Sequence, residues 1–180
     1  MLKTILIWGT IGGLIVGSSF FIFNSGELDL DRGGVVRGYI TMVIALSSIF
    51  FAIRQYRDNY LDGKIKFGKA FLLGLGISAV AGLFYSLTWE LYTSTYDIDF
   101  AALYMEHMES SALEEGLSQV EVDAKIAKQA GMMNLYKNNT PFRMLMSFGE
   151  MFPVGLAMSL IAGIIFSLSN GGNKDELSAE

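Results

Sequence analysis

Apolar stretches and short charged connections alternate along this chain, and four of the stretches are long enough to matter. Thr4–Phe23 carries no charge, and Gly38–Ile53 is a shorter run with Val35 and Val36 beyond Arg37 as an extension. Ala70–Trp89 is uncharged and closes on Glu90 and Tyr92, while Met144–Ser169 is interrupted only by Glu150 and Pro153. A hydrocarbon core about 30 Å thick is crossed by roughly 20 helical residues rising about 1.5 Å each. The pattern therefore predicts four transmembrane spans, at approximately 4–23, 36–53, 68–92 and 144–169. Backbone amides find no water in lipid, so each span must close its hydrogen bonds as an α-helix. The runs are too continuous for the alternation of a barrel strand. Lys3 and the apolar run behind it have the look of a secretory signal. The run is longer than the 7–15 residues usual there and no A-x-A site follows, so a retained helix is expected.

The long third connection is patterned as helix rather than as free loop. Asp99 stands where an N-cap belongs, ahead of Phe100, Leu103, Tyr104 and Met108 at three- and four-residue steps. Gly116 ends that helix, and Ser118 with Glu121 forms a capping box flanked by a Leu117–Val122 staple. Acids in the first turn (Glu121, Asp123) and bases further on (Lys125, Lys128) match the helix dipole. The second helix runs out at Asn138-Asn139-Thr140-Pro141. The reading is an all-α membrane protein, a single membrane domain over 1–180. Its four transmembrane helices carry an amphipathic extracytoplasmic helical hairpin, 97–139, between spans 3 and 4, and a polar tail over 170–180.

Composition sharpens this picture. Charged residues are 17% of the 180-residue chain and apolar residues 52%, against about 25% charged in soluble domains; mean hydropathy is +0.41. With 13% aromatics the chain is not disordered. It has no cysteine, hence no disulfide and no thiolate chemistry. A net charge of −5 gives no footprint for nucleic acid. Basic residues cluster at Arg54, Arg57, Lys64, Lys66 and Lys69, on the side of Lys3. Arg32, Arg37, Lys125, Lys128, Lys137 and Arg143 are spread over the opposite side, where acids such as Glu27, Asp29 and Asp31 also lean. By the positive-inside rule both termini face the cytoplasm and the protein is a multi-pass resident of the plasma (inner) membrane.

Small residues recur at four-residue steps in three spans: Gly9, Gly13 and Gly17; Gly74, Ser78, Gly82 and Ser86; Gly155, Ser159, Gly163 and Ser167. Such seams let helix backbones approach closely in lipid, either inside one bundle or between copies in a homo-oligomer. Glu90 and Glu150 are functional candidates because ionisable groups inside spans are expensive. Paired in a poorly solvated site, they could exchange a proton or hold a cation. Alternatively, each accepts hydrogen bonds from Tyr, Trp or Ser neighbours and fastens helices together. Glu106-His107-x-Glu109 lacks the third ligand that a metal site needs, so no metal and no cofactor are expected. Asn138-Asn139-Thr140 matches a glycosylation acceptor, which matters only in a secretory eukaryotic setting. Trp8, Trp89 and Tyr92 read as interface or packing aromatics, and Pro153 is expected to kink the fourth helix or be absorbed by local adjustment. No phosphate loop or serine–histidine pair is present, and no enzyme is expected.

Three segments carry a family resemblance: Ser48-Ser-Ile-Phe-Phe-Ala-Ile-Arg-Gln-Tyr-Arg-Asp-Asn59 with Gly63-Lys-Ile-Lys-Phe-Gly-Lys-Ala70, Phe84-Tyr-Ser-Leu-Thr-Trp-Glu-Leu-Tyr92, and Phe148-Gly-Glu-Met-Phe-Pro-Val-Gly-Leu156. In this order they resemble a bacterial family of four-span membrane proteins, the domain of unknown function 4199, from Leu2 to about Ser169. The resemblance implies an integral membrane protein and marks Tyr56, Arg57, Asp58, Glu90, Glu150, Pro153 and Gly155 as motif positions, with no reaction attached. Two functions follow as expectations. The first is a structural or interaction subunit, with the lipid bilayer as its surroundings and a protein partner at the hairpin. The alternative is a small oligomeric proton- or cation-linked transporter or ion pathway using Glu90 and Glu150.

Overall fold

Apart from residues 25 and 27, residues 1–169 are described by the computed structural model; the polar tail expected at 170–180 lies outside the described residues. Among these the chain is all-helical: α1 (Leu2–Phe23), α2 (Arg32–Leu46), α3 (Ser48–Tyr60), α4 (Phe67–Thr95), α5 (Phe100–Glu114), α6 (Gln119–Asn138) and α7 (Thr140–Leu168). Helices α2 and α3 form one apolar rod, Arg32–Tyr60, which joins α1, α4 and α7 as the four helices long and apolar enough to cross a membrane. The rod is interrupted only at Ser47, whose Oγ donates to the Ile44 carbonyl at 2.6 Å. A side chain that competes for the backbone ladder in this way is a recognised cause of helix bending.

The helices outrun the apolar stretches that predict them. Residues 54–60, read from the sequence as the start of a charged connection, are the closing turns of α3. Charge does not end a helix that has left the lipid. What ends it is the turn at Asp62 (φ 49) and Gly63 (φ 77), where the chain takes the left-handed backbone that a continuing helix excludes. Likewise α7 begins at Thr140, with only Asn139 between it and the end of α6, and the Asn139 side chain accepts from the Phe142 amide at 2.9 Å to start it. The hairpin is thus joined to the fourth span by a single residue.

Helix α4 is the centre of the bundle, packed on α1 and on α7 through the largest interfaces of the fold. The small-residue seams set both registers. Along α1, Gly9, Gly13 and Gly17 face Val80, Phe84 and Thr88, numbers that rise together because α1 and α4 run parallel. Along α7 the order reverses: Ser159 meets Gly74, and Gly155 meets Ser78. Ser78 and Ser159 bring their hydroxyls to 3.4 Å while each donates to its own helix, at 3.0 Å to the Gly74 carbonyl and 2.7 Å to that of Gly155. These seams are filled from within the chain, so a homo-oligomer has to use another surface.

Helix α2 is different. No residue from Arg32 to Thr41 is buried, and its buried positions, Met42, Ala45 and Leu46, all lie toward its Ser47 end. The bundle leaves that half of α2 uncovered, on the side where the hairpin sits. The hairpin itself follows its sequence signals. Asp99 caps α5 by accepting from the Ala102 amide at 3.2 Å, and Gly116 (φ 82) makes the turn. Glu121 accepts from the amide and hydroxyl of Ser118 at 2.9 and 2.7 Å. Those two hydrogen bonds hold the Glu121 carboxyl below its ordinary range. Lys137 closes the hairpin with an ion pair to Asp99 at 2.5 Å, which likewise keeps the Asp99 carboxyl low.

Candidate functional site

Polar side chains that α4 and α7 carry into the bundle meet near the hairpin end. Because the helices are antiparallel neighbours, Glu90, near the end of α4, falls level with Arg143, in the first turns of α7. The Arg143 guanidinium grips both carboxylate oxygens, Nε to Oε1 and Nη2 to Oε2, each at 2.6 Å. Its remaining donor reaches the Tyr136 and Lys137 carbonyls, both at 3.2 Å, and its plane lies 5.9 Å from the Tyr136 ring centre. Those carbonyls belong to the last turn of α6, where the helix dipole favours a cation. One arginine thus ties together α4, α6 and α7.

Trp89 adds a second tie, its indole N–H donating to the Tyr136 hydroxyl at 2.7 Å. Burial pushes the Tyr136 phenol up to about 12, although the Trp89 hydrogen bond and the Arg143 charge act the other way. Phe20 of α1 packs between Tyr85 and Trp89, at 5.2 Å from each ring. Phe100 meets Trp89 edge-on at 5.4 Å. Of the aromatics expected at the interface or in packing, Trp89 therefore serves as the joint between bundle and hairpin, while Trp8, toward the termini, donates to Gln55 at 2.9 Å.

Seven residues further along α7, about 10 Å deeper at 1.5 Å per residue, stands Glu150. The Tyr85 hydroxyl donates to its Oε2 at 3.1 Å, and among the described residues its Oε1 has no partner. Glu150 lines a half-open cavity of about 460 Å³ enclosed by α1, the half of α2 nearest the hairpin, α4, α7 and the hairpin. Glu90 does not reach it. The two acids singled out in the sequence lie on the same pair of helices, but they are not a pair: one is neutralised by an arginine, the other faces a space.

The remaining motif positions are elsewhere. Tyr56, Arg57 and Asp58 lie at the terminal end of the bundle, on α3. Tyr56 is buried and its ring packs, tilted, against that of Tyr60 at 5.3 Å. Arg57 donates to Asp58 at 2.8 Å and to Ser169 at 2.9 Å, and sits 5.3 Å from the Phe166 ring centre, so these residues close α3 against α7. Gly155 is a close approach of α7 to α4, since a Cβ there would stand 2.5 Å from Ser78 Cβ. Pro153 is exposed and α7 continues through it without a break. His107 contacts Asp31 at 3.8 Å, and among the described residues no group of three or more His, Cys, Asp or Glu is placed to hold a metal.

Sequence reasoning missed Arg143, Tyr136 and Tyr85 as partners. Arg143 was counted only as a topological charge; its position opposite Glu90 follows once the third and fourth spans are paired antiparallel from their hairpin ends.

Four membrane-length helices, a capped hairpin seated on them and a side cavity define the class: a polytopic membrane bundle. The chain matches the model of the family described as protein of unknown function (DUF4199) over residues 7–167, and it belongs to that family. No curated protein and no solved structure matches it.

Proposed function

We propose that the protein is a non-enzymatic structural or interaction subunit of the plasma (inner) membrane, with both termini in the cytoplasm and the hairpin outside as its contact surface. The observation that carries this reading is the bidentate Glu90–Arg143 pair, which locks α4, α7 and the end of α6 together. A hairpin held so firmly presents a fixed face rather than a swinging loop. The hairpin exposes Val120, 79% accessible, and Leu135 on α6, and Leu113 on α5. An exposed apolar residue becomes informative when several share one element.

Native mass spectrometry after mild detergent extraction tests it. The expected result is an assembly heavier than one 19.8 kDa chain, lost when Leu113→Glu and Val120→Lys are combined. A strictly monomeric wild-type protein, indifferent to that double change, overturns the proposal. A second reading, a small cation pathway, is favoured by the free oxygen of Glu150 facing a cavity. Glu90 takes no part in it, because its charge is already matched by Arg143.

A further inference from the structure

We infer that the cavity under the hairpin is a binding site for an apolar organic cation, with Glu150 as the anionic anchor. The inference stands apart from the subunit reading. It begins with charge. Four groups that line the cavity can carry a full charge near neutrality: Asp29, Arg37, His107 and Glu150. Arg37 is matched by Asp29 at 3.2 Å, and Asp29 also accepts from the Asp31 amide at 3.0 Å. His107 faces Asp31 at 3.8 Å. Glu150 alone has no cation beside it, only the Tyr85 hydroxyl on one of its two oxygens. An intramembrane carboxylate in that position is costly and gains most from a positive ligand.

The walls agree with the charge. Phe20, Trp89, Phe100, Tyr104 and Tyr136 turn the lining between hairpin and bundle aromatic, and aromatic faces attract cations within about 6 Å of the ring centre. The volume of about 460 Å³ lies within the range of roughly 300–1,000 Å³ typical of small-molecule sites. A small hydrated metal ion gains little from such walls, and an anion is opposed by Glu150. A quaternary or protonated amine with an apolar body satisfies both the carboxylate and the rings. Access comes from the α2 side, where the lining residues from Gly34 to Thr41 are not buried.

Isothermal titration calorimetry of the full chain in neutral detergent is the test, with tetraphenylphosphonium as the probe and the isosteric anion tetraphenylborate as its control. The expected result is saturable binding of the cation, at least tenfold tighter than the anion, and at least tenfold weakened by Glu150→Gln. Thr41→Trp, which fills the α2 side of the cavity without touching the charge, is expected to weaken cation binding as well, and it decides the matter if Glu150→Gln fails to fold. Equal binding of cation and anion overturns the inference. So does cation binding undiminished in folded Glu150→Gln protein or, failing that, in Thr41→Trp. Because these readouts do not depend on assembly mass, failure here leaves the subunit reading intact, and the reverse holds too.

Discussion

Arg143 presents two N–H donors 2.6 Å from the two oxygens of Glu90, and both side chains are only 19% exposed. A part-buried pair of this kind repays its desolvation only through good geometry, and removing one partner leaves the other charge stranded, at a cost of up to about 3–5 kcal/mol, the figure for full burial. Arg143→Met is therefore expected to lower stability by up to that much, read as a fall in the unfolding midpoint in detergent. Combining it with Glu90→Leu is expected to restore most of the loss, since an apolar pair of similar volume leaves no uncompensated charge. A double variant less stable than the single one contradicts this account. Glu150 behaves in the opposite way: the same residue type, one hydroxyl for company, and an open volume in front of it. Residue identity alone does not separate the two; their neighbours do.

Between helices, contact distance follows from side-chain size. In lipid no hydrophobic force drives α4 and α7 together, so their association rests on close packing at Gly74, Ser78, Gly155 and Ser159. A Cβ at Gly155 would stand 2.5 Å from Ser78 Cβ, whereas one at Gly149 meets nothing within 4 Å. Gly155→Ala is thus expected to cost about 1–3 kcal/mol, because the two helices must separate or shift. Gly149→Ala, in the same helix, is expected to be neutral or to stabilise by about 0.5–1 kcal/mol through reduced chain entropy. Thermal unfolding of the two variants side by side checks both, and equal effects would refute the packing argument. The hairpin caps belong to the same scale and were readable in advance, since Asp99, Gly116 and the Ser118–Glu121 box act within a turn of themselves. The end of α3 was not: hydropathy marks where lipid stops, while the helix goes on to the turn at Asp62 and Gly63.

Across the whole molecule, four spans with α1 parallel and α7 antiparallel to α4 put the described ends of the chain on one side and the hairpin on the other. The basic cluster around Lys64 and Lys66 belongs to the terminal side, and by the positive-inside rule that side is expected to face the cytoplasm, as proposed above. The absence of cysteine makes this easy to measure. In spheroplasts, Val120→Cys is expected to react with an impermeant maleimide, and Asp62→Cys only after the membrane is opened. The reverse pattern would invert the orientation and place the hairpin inside.

Span number, the all-helical class, the hairpin and its caps were set by the sequence alone, because bilayer thickness and backbone hydrogen bonding act on any apolar run regardless of what lies beside it. Glu90, Glu150 and Gly155 could be singled out there as well. Their roles could not. Which acid meets an arginine, which seam faces which helix and where a cavity opens depend on helix registers and on how the spans and the hairpin pack together. Those are contacts between residues far apart in the chain, and only the packed bundle decides them.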